Sequence, residues 1–157
     1  LQPLQRGTRT PPPGCLPNDQ RQMTPIIFTR NRQRKLRIRR GWLTELAAAA
    51  LTELNSPLKE LGIVLLNDAQ IAEYNRRFHH RDGPTDILTF HYEGIGELMI
   101  STQQAIANAR RFRTTPRREL ALYVIHGILH LHGYDDRTPA QRRRMRAAER
   151  RLLAALL

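Results

Sequence analysis

The chain has 157 residues, 40% hydrophobic and 25% charged, a composition that suits one folded domain and excludes both wholesale disorder and two ordinary domains. Lys and Arg number 26 against 14 Asp and Glu, a formal charge of +12 that points to a polyanionic partner. A single cysteine, Cys15, excludes an internal disulfide and a multi-cysteine metal cluster, and suits a reducing compartment.

Residues 1–22 are rich in Pro, Gln and Arg and lack the apolar core of a signal peptide. They are expected to be an extension, either a flexible tail or residues upstream of a true start at Met23, and the domain is expected over residues 23–157. No stretch has the length to span a bilayer, so a cytoplasmic location is expected. Residues 26–40 pair a short apolar run with a basic one in which Leu36 and Ile38 alternate with charges, and read as an edge strand or a pair of strands. Trp42, Leu43, Leu46, Ala50 and Leu54 fall at helical spacing before Asn55-Ser56-Pro57. Leu61 to Leu66 is a continuous apolar run, as in a strand buried on both faces, and Asn67-Asp68 opens a helix to about Phe78.

HHRDGPT, residues 79–85, is a loop. Residues 86–92 and 97–101 read as a hairpin around a Gly94–Gly96 turn. Ser101 or Thr102 caps a helix to about Phe112, and Thr115-Pro116 opens a long apolar helix through His132 that Gly133 stops. Thr138 and Gln141 form a capping box for a last helix whose arginines face solvent. This order predicts an α+β domain of about four strands and about five helices.

The charge is segregated. Residues 1–40 carry ten basic residues and one acidic, residues 41–109 four and nine, and residues 110–157 twelve and four. Basic surfaces around a more acidic middle fit phosphates as the partner, although arginine replacing lysine on solvated faces accounts for the charge equally well.

The informative segment is HGILHLHGYDDR, residues 126–137. On a helix, His126 and His130 stand one turn apart and present both imidazoles on one face. Gly133 permits a left-handed helix end that folds Asp135-Asp136 back towards them, copying the spacing of metzincin zinc sites. Two nitrogen donors and the Asp136 carboxylate would hold Zn²⁺ with a position left open, whereas His132 points off the ligand face. His79, His80 and His91 cannot be placed from sequence. Metalloproteases of the H-E-x-x-H type take a glutamate after the first histidine as general base, and Gly127 occupies that position here. A metal beside basic surfaces instead fits phosphodiester hydrolysis.

HGILHLHGYDD closely resembles the HGxLHLxGYDH signature of the YbeY family, metal-dependent endoribonucleases of bacterial rRNA maturation. Asn75 through Asp82 and Pro84-Thr85-Asp86-Ile87-Leu88-Thr89-Phe90 are similar to a second family block, and Ile95 to Ser101 to a third, while Met145 and Glu149 match its closing helix. The resemblance covers roughly residues 24–157. It implies a single zincin-like domain with the metal site at the end of a long central helix, one divalent metal held by His126, His130 and Asp136, and a single-strand-specific endoribonuclease. It also implies rRNA and the small ribosomal subunit as partners, with roles in maturing the 16S rRNA 3′ end and in ribosome quality control. Catalytic roles are expected of His79, Arg81 and Asp82.

Two positions depart from the signature. Asp136 stands where the family has histidine, which keeps a zinc donor but adds charge and admits Mn²⁺ or Fe²⁺. His79 stands where the family has an arginine, with Arg76, Arg77 and Arg81 nearby. These departures leave a second reading open, a non-catalytic RNA-binding assembly factor with a structural metal.

Overall fold

A computed structural model describes residues 23–157, and the expectations for residues 1–22, with Cys15, lie outside the described residues. Leu61, Ile63, Val64, Leu65 and Leu66 are all buried, as an unalternating apolar run requires of a strand covered on both faces. They belong to β2 (Glu60–Leu66), which runs parallel to the edge strand β1 (Ile26–Asn31) on one side and to β4 (Ile95–Ser101) on the other. The strand β3 (Ile87–Tyr92) closes the far edge antiparallel to β4, giving the order β1-β2-β4-β3. Among the described residues this four-stranded sheet is joined by five helices in one α+β domain.

The sheet divides the core in two. Leu61, Ile63, Leu65, Leu98 and Ile100 face α1 (Trp42–Glu53), α4 (Pro116–Leu131) and α5 (Pro139–Leu156) in the main cluster. On the opposite face Val64, Leu66, Leu88 and Met99 meet Ile71 and Tyr74 of α2 (Asp68–His79) in a smaller one. The helix α3 (Thr102–Phe112) packs against α4, which also touches α1, α5, β3 and β4. Each buried Leu or Ile side chain contributes about 1.5–3 kcal/mol, so α4, with Leu120, Ile125, Ile128 and Leu129 fully buried, is the most firmly held helix.

The capping signals locate helix starts well. The Asn67 carboxamide accepts from the Gln70 backbone N–H at 2.8 Å while Gln70 Oε1 accepts from the Asn67 N–H at 2.9 Å, and Thr138 and Gln141 form the same box. Ser101 and Thr115 cap α3 and α4. The hairpin turn is Glu93-Gly94, both at positive φ as a two-residue turn of the I′ class requires, and Gly96 is already in β4. His79 is the last residue of α2, so the loop before β3 begins one residue later than expected.

Of the two readings of residues 26–40 the single edge strand is the one found, and the reason no second strand follows is Gln33. Its side chain is 6% exposed and donates to Asn31 Oδ1 and the Leu36 carbonyl, each at 2.9 Å. Its Oε1 accepts from the Leu36 N–H and from the Thr102 hydroxyl, also at 2.9 Å. These bonds curl the chain off the sheet edge, and Leu36 and Ile38 pack against the main cluster from an irregular segment.

The surface of α4 meets the sheet at Gly127. A Cβ there would lie 2.6 Å from Leu98 Cδ2 and 2.7 Å from Ile87 Cδ1, inside the closest approach of real carbon atoms. Gly127 is therefore a point of close helix–sheet contact, and a glutamate at this position would be driven into the core. Gly127→Ala should lower stability by about 1–2 kcal/mol, because overpacking of about 1–3 kcal/mol outweighs the helix propensity gained. A variant that melts at or above the wild-type temperature in thermal unfolding would contradict this packing account.

Candidate metal centre

The close approach at Gly127 turns the neighbouring residues His126 and His130 outwards from the sheet, and both imidazoles are partly exposed. Their Nε2 atoms are 3.0 Å apart. The helix ends at Leu131, one residue before the expected His132, which becomes its cap, and Gly133 makes the predicted turn. Gly133 has a φ of +86°, and the Tyr134 N–H donates to the Leu129 carbonyl at 3.1 Å, so the chain reverses and carries residues 134–136 back over the histidines. Asp136 Oδ2 comes to 3.7 Å from each Nε2.

The adjacent aspartates divide the work. Asp135 Oδ1 accepts from the Asp136 N–H at 2.8 Å, and its Oδ2 accepts from Arg137 Nε at 2.7 Å. The Arg137 guanidinium, followed by that backbone bond, holds the Asp135 carboxyl below its usual range. Asp136 keeps its carboxylate for the histidines. The Arg142 guanidinium ties the loop to α5 by donating to the Asp136 and Arg137 carbonyls, each at 3.2 Å.

The three donor atoms lie within 4.8 Å of one another. A tetrahedral ion with bonds of about 2.0–2.2 Å needs donors roughly 3.3 Å apart, so separations of 3.0 and 3.7 Å are within a few tenths of an ångström of that geometry. The residues present fit a divalent ion.

A fourth residue completes the arrangement. His126 Nδ1–H donates to Glu149 Oε1 of α5 at 2.6 Å, and because a carboxylate only accepts, the proton sits on Nδ1 and the Nε2 lone pair faces the other donors. Burial, the largest single influence on His126, pushes its pKa down. The Glu149 hydrogen bond and the charges of Glu149, Asp136 and Asp86 outweigh it, and the imidazole sits above its ordinary value. Sequence reading matched Glu149 but gave it no role, because thirteen residues and a helix boundary separate it from Asp136.

His132 stands on the other side of α4, where its Nδ1–H donates to the Ile128 carbonyl at 2.7 Å and its Nε2 accepts from the Ser56 hydroxyl at 2.7 Å. His79 ends α2 with its ring 6.2 Å from that of Phe90, and Arg81 and Asp82 are exposed in the loop that follows. Neither His79 nor Asp82 joins the donor cluster. The far end of their loop does approach the site, since Ile87 reaches Gly127 and Asp86 contributes to the His126 field. Asp86 also adds to burial in pushing the Tyr123 hydroxyl up to about 12. No helix among the described residues is long and apolar enough to cross a membrane.

Residues 28–157 match the family described as Endoribonuclease YbeY. A relative of that name from Phocaeicola vulgatus is 39% identical over 120 residues, 74% of this chain and 84% of the relative. Another, from Rhodopirellula baltica, is 41% identical over 116 residues, 68% of this chain and 60% of the longer relative. The solution structure of a Thermotoga maritima protein is similar with a TM-score of 0.60 at 26% identity, covering 83% of this chain and 89% of that one.

His126→Ala should abolish stoichiometric metal binding, and Glu149→Ala should weaken it by about 10- to 100-fold, as measured by chelator competition. The Glu149 contact also predicts a pH dependence for the metal-free fold. A raised His126 pKa means that its imidazolium contributes stability fully below about pH 6.5, and the contribution is lost as pH rises through the raised value. The melting-temperature advantage of wild type over Glu149→Ala, measured in chelator, should therefore be larger at about pH 5.5 than at about pH 9. An advantage that grows with pH would contradict it.

Proposed function

This chain belongs to the Endoribonuclease YbeY family, and from that membership we propose that it is a metal-dependent endoribonuclease acting on single-stranded rRNA. We assign it to maturation of the 16S rRNA 3′ end and to ribosome quality control, in the cytoplasm, with residues 23–157 as the working domain. The observation that carries the reading is the convergence of His126, His130 and Asp136 at side-chain exposures of 24%, 27% and 44%. Structural zinc sites are closed by four protein donors, whereas three partly exposed donors leave room for water and a phosphodiester. The accessible site therefore favours an enzyme over an assembly factor with a structural metal.

In this reading His126, His130 and Asp136 hold one divalent ion, zinc first, with Mn²⁺ or Fe²⁺ admitted by the carboxylate. A bound ion supplies Lewis acidity to a phosphoryl oxygen and acidifies water beside it. Glu149 keeps the His126 Nδ1 proton in place, so the Nε2 lone pair stays directed at the site. His79, Arg81 and Asp82 are assigned to the substrate side, where Arg81 neutralises phosphate charge and His79 or an aspartate of residues 82–86 transfers the proton. Support for this placement is the approach of Ile87 and Asp86 to α4, which brings the end of their loop beside His126. The base that a zinc protease keeps at the second motif position has no room here, because Gly127 abuts Leu98 and Ile87.

Purified protein should cut single-stranded RNA, lose that activity on chelation and regain it with zinc or manganese, while leaving casein intact. Fully metallated protein that leaves RNA uncut would favour the assembly factor. The Asp136 carboxylate offsets one unit of the ion's charge, so activity should rise at higher pH than in Asp136→His. That variant should retain metal and shift its rate profile to lower pH, and an unchanged profile would remove Asp136 from the ligand set.

A further inference from the structure

The proposed metal centre is a poor attractor for RNA on its own account. Asp86, Asp136 and Glu149 act on His126, while the nearby Arg137 is taken up by Asp135, and a polyanion approaching them gains from cationic surface elsewhere. Residues 30–40 supply seven basic side chains, Arg30, Arg32, Arg34, Lys35, Arg37, Arg39 and Arg40, with no acidic residue among them. All seven are exposed. Among the described residues, Arg39 is the one member of this set with a carboxylate partner, Glu45.

This segment is not a frayed loop. The buried Gln33 amide makes hydrogen bonds to both sides of its turn and to Thr102, which fixes the backbone where it leaves the sheet. Leu36 and Ile38 face inwards against the core, and the Trp42 N–H donates to the Arg39 carbonyl at 3.2 Å. The inward residues alternate with outward charges, so Arg34, Lys35, Arg37 and Arg40 stand on a ridge whose backbone is already ordered. The ridge separates two hollows. One, of about 160 Å³, is lined by Leu36, Arg37, Trp42 and Arg117, with the Arg117 guanidinium 4.8 Å from the Trp42 ring centroid. The other, of about 310 Å³, is lined by Thr29, Asn31, Arg39 and Arg40.

We propose that this cationic ridge, residues 34–40 with Arg117, is a second RNA-binding surface that grips the sugar-phosphate backbone of the substrate away from the metal centre. The inference rests on the ribonuclease reading. A pre-ordered backbone lowers the conformational cost of binding, and unpaired arginines release counterions when they meet phosphates. Leu36 and Ile38 aim inwards, so residues 34–40 themselves present only charged side chains outwards, unlike the apolar face of a membrane-binding helix.

The test uses metal-loaded full-length protein and a fluorescein-labelled single-stranded RNA of about 20 nucleotides, longer than common single-strand site sizes. Binding is followed by anisotropy across a salt series for wild type and for Arg34→Gln/Lys35→Gln/Arg37→Gln. A control, Arg110→Gln/Arg111→Gln/Arg113→Gln, removes the same charge at the end of α3. Metal content and thermal unfolding verify that each variant is folded. The ridge variant should bind at least about 10-fold more weakly at 0.1 M salt, and its plot of log K against log salt should be shallower by about 2, near 0.7 for each lost contact. The control should keep most of the wild-type slope. Equal losses in the two variants would mean that net charge alone attracts RNA, and an unchanged ridge variant would place the contacts elsewhere. Either result overturns the proposal while leaving the ribonuclease reading intact. Wild-type protein with no affinity for RNA, or with ridge-dependent affinity for anionic phospholipid vesicles instead, overturns both.

Discussion

The packing of α4 governs the molecule. The helix is buried against α1, α3, α5, β3 and β4, and its one glycine, Gly127, lets the backbone settle onto Leu98 and Ile87. A helix so enclosed has little rotational freedom, because a turn about its axis would drive side chains into a close-packed core. Fixing that rotation fixes the direction of every residue along it. His126 and His130 are left on the narrow strip where the helix emerges, and Gly133 then decides where the following loop returns. The donor set is thus a consequence of core packing, with the loop hydrogen bonds of Asp135 and Arg142 supplying the remaining constraint.

A second constraint is electrostatic. The chain carries a net charge of +12, yet the charges that act on His126 are those of carboxylates, Glu149, Asp136 and Asp86. Three acids around two imidazoles repel one another, and a divalent cation would relieve that repulsion more effectively than protons at neutral pH. On the proposed reading the same field would oppose a phosphodiester until a cation is in place. In the proposed function, separation of an acidic centre from basic flanks would couple metal loading to substrate approach without any moving part.

Much of this was legible in the sequence because the signals were local. Asn67 with Gln70 and Thr138 with Gln141 announce helix starts through bonds three residues long, and His126, His130 and Gly133 encode the candidate donor face within two turns. The unbroken run of residues 61–66 announces a strand with both faces covered. What sequence left open depends on contacts between distant segments. Glu149 acquires its role only when α5 lies across α4, and the bend at Gln33 depends on Thr102, sixty-nine residues away. Alternation of Leu36 and Ile38 with arginines imitates a strand, but the backbone bonds a strand would need are taken by the Gln33 side chain. Gly127 looks like a lost catalytic base in a one-dimensional motif and becomes a packing requirement once Leu98 and Ile87 are in position.

The same helix also sets the relation between the two surfaces assigned to RNA. Arg117 lies in the first turn of α4 and His126 nine residues later, a rise of about 14 Å along a rigid axis. Because α4 is locked by its neighbours, this separation would not change on RNA binding. A chain held at the ridge can deliver a phosphodiester to the metal centre only by following the protein surface over that fixed distance. A flexible single strand adjusts its backbone to such a path, whereas a duplex, with a persistence length far greater than the protein's diameter, must deform at a cost of several kcal/mol. Preference for single strands in this reading comes from two rigid anchoring points joined by one buried helix, with no base-specific contact required.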